Sequence, residues 1–322
     1  MALTQVDGGL LSPINAQYTG FKNRIINPGM VIDQRNAGAS ISVGSAPVFP
    51  VDRFQARIAQ GSGHTGQQVS TSPVGFNNSL KITVGTGAAP TAAQNTFINQ
   101  QIEGFNFADL GWGTASAKTI TVSFKVYSSL TGTFAYSISN AGLDRSYVAT
   151  YSIPVANTWT DISVTIAGDT SGTWVGATNG VGSYNFWDLG SGSNKNTTAG
   201  AWQAGWYTNT TATVNVVGTS GATFYITGVQ LEKGSTATSF DYRPYGTELG
   251  LCQRYYQALT VGVIPTVGGY AVTSVSYITM RSDPTVGGGG AGFNLGFTAS
   301  RNYFSCYQTT GSLQSLTLSS EL

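Results

Sequence analysis

The chain has 322 residues, of which 9% are charged, and its net charge is +1. This length exceeds what one simple core usually organises, so we expect two or three units. The absence of Lys or Arg runs argues against nucleic acid as the main partner. No signal-peptide pattern and no apolar run long enough for a bilayer are visible, so we expect synthesis in a cytoplasm and no membrane insertion.

Residues 1–22 (MALTQVDGGLLSPINAQYTGFK) form the first segment. They contain little apolar material, and Gly8-Gly9 and Pro13 interrupt any regular element. We therefore expect an extended arm, either disordered or docked on another protein. The alternating character of its first residues leaves strand addition to a partner open.

From residue 23 onward, β-forming residues alternate with polar ones between Gly, Asn and Ser turns. Residues 23–32 are expected to form a strand, a turn at Asn27-Pro28-Gly29 and another strand. Further strands are expected at 51–54, 75–84, 97–105, 119–127, 133–139, 147–153, 159–166, 183–189, 214–217 and 222–231. This spacing of roughly ten residues, without a blade repeat, predicts an all-β jelly-roll sandwich over residues 23–245.

The strand at 222–231 is expected to close this domain. Its alternation is interrupted at Thr227-Gly228, as a β-bulge would interrupt it. Arg243 is expected to anchor the chain where it leaves the domain. The residues expected to face the core are Phe224, Ile226, Val229 and Leu231.

After Pro244 the apolar spacing becomes helical, with Thr247 available as N-cap. This pattern predicts a short helical linker at 246–257, followed by a small C-terminal β domain at 258–322. That domain is rich in Gly and too small for much core of its own. We therefore expect it to oligomerise.

Short motifs stand in a fixed order along the chain. They are NRIINPGM at 23–30, DQR at 33–35, VDRF at 51–54, QIEG at 101–104, SFKV at 123–126, GVQLEKG at 228–234 and CQRYY at 252–256. Together they resemble a widespread family of tailed-bacteriophage tail-fibre-like or minor virion structural proteins. The large domain of that family looks like a jelly-roll carbohydrate-binding module.

The resemblance implies a location in the virion, a homotrimer, and attachment to other virion proteins through residues 1–22. It also implies that the β domains are presented to host-surface polysaccharide. Two alternatives stay open at this point. One is a capsid-decoration or head-fibre protein without receptor binding, and the other is a polysaccharide-degrading enzyme.

We expect no catalytic activity from the residues themselves. The single histidine, His64, lies in a Gly/Ser loop and is expected to be solvated, and no nucleophile elbow surrounds any serine. Glycoside hydrolysis needs two carboxylates a fixed distance apart, and the sequence cannot pair its acids. Glu103, in an alternating strand, is expected to be a buried acid held by Arg or backbone donors.

Sugar binding needs aromatic ring faces beside amides and carboxylates. Residues 174–207 contain the densest group of such side chains, although alternation in SYNFWDLG assigns Phe186, and with it Trp187, to the core. The candidate glycan-binding residues are Trp202, Trp206 and Tyr207, which lie in an irregular Gly/Asn-rich setting.

Carbohydrate-binding jelly rolls often hold a structural Ca²⁺ between their first and last strands, through oxygen ligands. By this resemblance Asn27, Asp33 and Glu232 are candidate ligands; alternatively, Glu232 pairs with Arg53 or Arg243. No other cofactor is expected. Cys252 and Cys306 are too few for a disulfide framework or thiolate metal site and are expected to be buried free thiols.

Overall fold

The structure is a computed structural model that describes residues 21–263, 271–289, 293–295, 299–308 and 312–322. Within the C-terminal strands, the side chains of 261–263, 271–274, 293–295, 305–308 and 312–314 are also outside the description. All of the expected arm except Phe21 and Lys22 therefore lies outside the described residues, as does the Cys306 side chain.

Antiparallel strands form most of the regular structure. They are β1 (Ile41–Ser42), β2 (Val48–Val51), β3 (Phe54–Arg57), β4 (Thr65–Val69), β5 (Ser79–Thr83), β6 (Phe97–Glu103), β7 (Ile120–Ser128), β8 (Gly132–Ser139), β9 (Arg145–Ile153), β10 (Thr160–Ile166), β11 (Val181–Asp188), β12 (Trp202–Ala204), β13 (Thr223–Lys233), β14 (Tyr256–Val263), β15 (Ala271–Ser276), β16 (Thr285–Gly288), β17 (Phe293–Leu295), β18 (Tyr303–Gln308) and β19 (Ser312–Ser319). One α-helix, α1 (Tyr245–Gln253), precedes β14. The short 3-10 helices are Gly104–Asn106, Ala108–Leu110, Ser193–Lys195 and Val216–Gly218.

Two large sheets form the sandwich. The six-stranded sheet has the order β1-β4-β5-β13-β7-β10, and the seven-stranded sheet has the order β12-β9-β8-β11-β6-β3-β2. Strand β7 shows why they face each other: its alternate residues Ile120, Val122, Phe124 and Val126 are at most 2% exposed. From the other sheet, Trp187 packs its ring edge-on against Phe124 with a centroid distance of 5.8 Å. The chain is thus an all-β jelly-roll sandwich, as the strand spacing predicts.

Strand β13 closes the sandwich between β5 and β7. Its pairing with β7 shifts register between Thr227 and Gln230, which confirms the expected bulge. Gly228 lies inside it with φ of 62°, a backbone conformation that side chains with a Cβ rarely adopt. The residues expected to face the core, Phe224, Ile226, Val229 and Leu231, are all 0% exposed.

Some expected strands are absent. Residues 23–32 turn at the predicted place but form no strand. Side-chain hydrogen bonds take the place of the backbone hydrogen bonds that would pair two strands there. Asn27 Nδ2 donates to the carbonyls of Ile32 and Asp52 at 2.8 and 2.9 Å, and its Oδ1 accepts from the Ile32 N–H. The predicted strand at 51–54 is instead a hairpin turn between β2 and β3, and 214–217 is an irregular segment that leads into the 3-10 helix Val216–Gly218.

The helix begins earlier than expected. It starts at Tyr245, directly after Pro244, so Thr247 lies inside its first turn and does not cap it. Strand β14 then begins at Tyr256, inside the segment predicted as linker. Beyond it, two three-stranded sheets, β14-β19-β16 and β15-β18-β17, form the C-terminal unit. Its described core is small and consists of Met280, Ala299, Phe304, Leu316 and Leu318.

A buried polar junction joins the sandwich to α1 and the C-terminal unit. Glu321, near the C-terminus, forms ion pairs with Arg53 and Arg35, whose side chains are 2% and 14% exposed. Glu103 accepts hydrogen bonds from Arg254 Nη2 at 2.6 Å and from the Tyr255 hydroxyl at 2.9 Å. Glu103 is therefore the buried, arginine-held acid that its strand position predicts.

The chain exit is anchored in the same way. Arg243 donates to the carbonyls of Asn23 and Ile25 and forms an ion pair with Glu248. This agrees with its expected role at the domain boundary. Cys252 is a free thiol, 1% exposed, packed with Ile26 and Ile32.

Candidate functional site

The surface of the seven-stranded sheet that faces away from the core is called the outer face here. On β11, Trp187 points into the core, so Tyr184 and Phe186 point to the outer face. Strand register then places their cross-strand neighbours beside them. One row consists of Gln55, Asn99, Phe186, Ser137 and Val148, and the next of Gln101, Tyr184, Ser139, Ser146 and Gln203.

Aromatic rings occupy the middle of the outer face. Tyr184 stacks on Phe186 with a centroid distance of 5.6 Å and an interplanar angle of 6°. Phe97 meets Phe186 edge-on at 4.8 Å, and the Trp206 ring lies 5.9 Å from Phe186 on the outer face. Phe97 and Phe186 are buried, whereas Tyr184 and Trp206 are only partly buried. Two accessible rings therefore flank a buried one.

The polar side chains of the outer face have unused hydrogen-bonding capacity. Among the residues that the structure describes, Asn99 Oδ1, Gln101 Oε1, Ser137 Oγ, Ser139 Oγ and Trp206 Nε1 are buried atoms without a hydrogen-bond partner. An unmet buried polar atom costs about 1–3 kcal/mol. Their concentration marks a face rich in amide and hydroxyl groups whose buried atoms find no partner within the described protein.

The segment that carries Trp206 and Tyr207 is fixed onto the outer face. Asp188 accepts hydrogen bonds from the N–H groups of Gly190 and Ser191 and from the Thr208 hydroxyl, at 2.8, 3.0 and 2.7 Å. Burial raises the pKa of Asp188, and these bonds oppose the shift. The Tyr207 N–H donates to Ser146 Oγ on the sheet at 3.1 Å, so both predicted residues of this segment lie over the outer face.

Positive charge borders these rings. The Lys195 ammonium lies 3.6 Å from the centroid of the Trp206 ring, and burial lowers the pKa of this lysine. Arg57 lies beside Phe97 in the strand register, at one edge of the outer face. Neither cation forms an ion pair within the described residues.

The third predicted residue, Trp202, lies elsewhere. It is paired with Tyr147, which is on the opposite side of β9 from Ser146. Its ring contacts Trp112, Tyr147 and Trp174 at centroid distances of 5.1 to 5.6 Å, and its indole N–H donates to the Ala167 carbonyl at 2.8 Å. The structure thus brings Trp206 and Tyr207 together and separates Trp202 from them.

Tyr184 was not among the candidate glycan-binding residues, and Phe186 was not expected on the outer face. Alternation in SYNFWDLG contains the required signal, since it puts Phe186 and Trp187 on opposite faces. Trp187 is the core residue at 0% exposure, while Phe186 is buried on the outer face under neighbouring rings. Assigning Phe186 to the core was therefore wrong.

The predicted calcium ligands do not fit a cation. Asp33 accepts hydrogen bonds from Asn36 and Gly38 through both oxygens, and Asn27 Oδ1 already accepts from Ile32. Glu232 accepts from Gln230 Nε2 and from the Thr238 N–H and hydroxyl, and pairs with neither arginine proposed for it. No cluster of three or more His, Cys, Asp or Glu residues suited to a metal occurs in the described part of the chain.

The groups considered for catalysis have structural partners. His64 is 2% exposed, so the expectation of a solvated histidine was wrong. Its Nδ1 accepts from the Gly85 N–H at 3.2 Å, which leaves Nε2 to donate to the Gln60 carbonyl at 2.8 Å. Two further acids, which would have to be paired for glycoside hydrolysis, are in ion pairs: Asp109 with Arg24 and Asp161 with Lys125, both at 2.6 Å.

No protein-family model and no curated protein matches the chain. Similar solved structures include the enzymatically active domain of tailspike protein 4 of bacteriophage CBA120, at 14% identity and a TM-score of 0.34. The match covers 66% of this chain and 22% of that one. Among the described residues, no helix has the length and apolar character needed to cross a membrane.

Carbohydrate-binding modules are also among the similar structures. A CBM22-1 xylan-binding domain from Paenibacillus barcinonensis is 10% identical, with a TM-score of 0.31 and coverage of 63% of this chain and 99% of that one. A family 11 module from Clostridium thermocellum, in complex with a mixed-linked tetrasaccharide, is 11% identical, with a TM-score of 0.30 and coverage of 62% and 98%. At these identities and TM-scores, the similarities do not assign a ligand.

Proposed function

We propose that this chain is a glycan-recognition protein of a bacteriophage virion and that the outer face of its seven-stranded sheet binds the glycan. One observation carries the binding proposal. The outer face combines two partly exposed rings, Tyr184 and Trp206, with amide and hydroxyl side chains, several of whose buried atoms have no partner in the described protein. Sugars present an apolar ring face and hydroxyl groups together, which is the chemistry that this surface complements.

The side chains of the outer face have different roles in glycan binding. Tyr184 and Trp206 stack against sugar rings, while the partly exposed amides of Gln101 and Gln203 hydrogen-bond to sugar hydroxyls. Lys195 and Arg57 favour a polysaccharide that carries acidic groups, because both cations are unpaired within the described residues. We assign no bond-breaking step to this surface, so the proposed function is adhesion.

The virion part of the proposal is supported by the ordered motifs and their resemblance to tail-fibre-like proteins. Under this proposal, residues 1–22 attach the protein to other virion components and the C-terminal unit makes a homotrimer. Light scattering on the full chain measures the oligomer directly. A monomer at micromolar concentration would contradict the trimer and leave the glycan proposal standing.

The binding proposal is tested by titrating purified acidic bacterial surface polysaccharides into the full chain and the Trp206→Ala variant. We expect Trp206→Ala to weaken binding by about tenfold or more, as loss of an aromatic anchor typically does. The matched control is Trp159→Ala, since Trp159 is another half-buried indole that packs against Tyr127 and Tyr225 of the other sheet. Equal affinity of the two variants would reject the outer face as the site.

The same samples test for enzyme activity. Measurement of new reducing ends after prolonged incubation with the bound polysaccharide is expected to show none. Sustained release of sugar ends would instead support the polysaccharide-degrading alternative.

A further inference from the structure

A separate pocket of about 360 Å³ lies on the other side of the sandwich, where the chain leaves it. Its walls include Phe76, Phe240, Tyr242 and Tyr245. Phe240 meets both Phe76 and Tyr242 edge-on, with centroid distances of 4.8 Å. The two tyrosines are 64% and 63% exposed, so the pocket presents large aromatic surfaces to solvent.

The rings of this pocket are held in place by the backbone. The Tyr242 hydroxyl donates to the Gly75 carbonyl at 3.0 Å. Phe76 packs onto Gly228 in the β13 bulge, where an added Cβ would lie 2.7 Å from the Phe76 ring. The glycine at the bulge therefore creates the space that the ring fills. A ligand would meet a preformed wall, which lowers the entropic cost of binding.

Polar and charged side chains accompany the rings. Arg243 lines the pocket with a side chain that is 2% exposed, and its Nε, which has no hydrogen-bond partner in the described residues, lies 3.8 Å from Asp241 Oδ2 in an ion pair. Asn77 and Asn78 stand at the rim. Glu248 also lines the pocket, and burial raises its pKa although the Arg243 charge opposes the shift. The lining thus supplies amides, a cation and an acid beside the aromatic rings.

The pocket continues into a second one. A neighbouring pocket of about 260 Å³ shares Phe76 and Phe240 and is also lined by Ser123, Ser163 and Thr238. We call the two pockets together the Phe76 groove. Its shape is that of two compartments divided by a pair of rings, with hydroxyl and charged side chains in both.

We propose that the Phe76 groove is a second saccharide-binding site that takes an oligosaccharide of at least two sugar units. Sugar rings stack against the tyrosines and phenylalanines, and sugar hydroxyls hydrogen-bond to the asparagines that line the pocket. A saccharide fits better than a protein surface, because the groove is concave and mixes aromatic rings with amide, hydroxyl and charged side chains. The groove belongs to the six-stranded sheet side, so it can be occupied independently of the outer face.

The test uses the full chain carrying Trp206→Ala, which disables the outer face. The probes are hexasaccharides of glucose, xylose, galactose and N-acetylglucosamine, and the binding of each is measured by saturation-transfer NMR. We expect at least one probe to bind this variant, and Tyr242→Ala with Tyr245→Ala to weaken that binding by about tenfold or more. The control is Tyr303→Ala, an exposed tyrosine of the C-terminal unit, which should leave binding unchanged.

The outcomes separate this inference from the proposed function. Binding by the wild-type chain that disappears with Trp206→Ala alone would overturn the second site and keep the proposed function. Binding that survives the two tyrosine substitutions would also overturn it. If no probe and no surface polysaccharide binds the wild-type chain, both proposals fail. A change in oligomer mass on tyrosine substitution, without any loss of sugar binding, would assign the groove to contacts between copies instead.

Discussion

Glu321 provides the sharpest test of how the sandwich and the C-terminal unit are joined. Its carboxylate, 10% exposed, lies between Arg53 and Arg35, and Arg53 is 2% exposed. Removing one partner of a buried ion pair leaves a charge without compensation and costs about 3–5 kcal/mol. Arg35 keeps Asp52 at 3.0 Å, and Arg53 keeps the Gln101 carbonyl at 2.7 Å. We therefore expect Glu321→Gln to destabilise the full chain by about 3 kcal/mol, the lower end of that range.

The matched control is Asp161→Asn. Asp161 pairs with Lys125 at 2.6 Å, but its side chain is 76% exposed, and exposed pairs contribute about 0–1 kcal/mol. Urea titration of the full chain, followed by circular dichroism, measures both variants. If the two differ from wild type by similar amounts, within about 0.5 kcal/mol of each other, the junction does not hold the units together as described.

Three further predictions concern the core, the outer face and pH. Leu231→Ala should cost about 2–5 kcal/mol because it leaves a cavity, whereas Lys233→Ala, at an exposed position, should cost about 0–1 kcal/mol in the same urea titrations. Asp188→Ala removes the acceptor of Thr208 and two N–H groups, so about 2 kcal/mol or more should be lost, together with glycan affinity in the titrations above. Burial raises the pKa of Asp52 to about 6. Between about pH 4 and 6, Asp52 therefore keeps its proton in the folded protein but has lost it in the unfolded chain. The free energy of unfolding should fall as pH rises through this window. Urea titrations at both ends of it should show a smaller fall for Asp52→Asn than for wild type.

Long alternating strands could be predicted from the sequence because their period is set by one buried face. Strand β7 and strand β13, with its bulge, lie where the pattern places them. Short elements carried no such signal: β1 and β12 have two and three residues. The segment 23–32 imitates a hairpin, but side-chain hydrogen bonds from Asn27 hold it in an irregular path.

The candidate site was predictable only in part. Composition located the aromatic segment, but the outer face depends on register across six strands, most of which are distant in sequence. Trp202 and Trp206 are separated by three residues, yet β12 pairs with β9 so that Trp202 joins the Trp112 and Trp174 cluster. Tyr184 was not selected as a site residue because its neighbours on the outer face lie on β6 and β8, and the sequence does not show that these strands pair with β11.

The motifs that carry the family resemblance are concentrated at the junction and the chain exit. Eight residues of these motifs hold α1, β14 and the C-terminus against the sandwich. They are Asn27, Gln34, Arg35, Asp52, Arg53, Glu103, Arg254 and Tyr255. These residues therefore explain how the units are connected. They do not form the outer face, and for this reason the resemblance identifies an architecture more directly than a ligand.

The central claim is that the outer face of the seven-stranded sheet binds glycan. It is tested most directly by determining the structure of the full chain in complex with an oligosaccharide of a polysaccharide that it binds. We expect sugar density against Tyr184 and Trp206, with sugar hydroxyls within hydrogen-bond distance of Gln101 or Gln203. Sugar density elsewhere on the chain, with the outer face unchanged and empty, would contradict it.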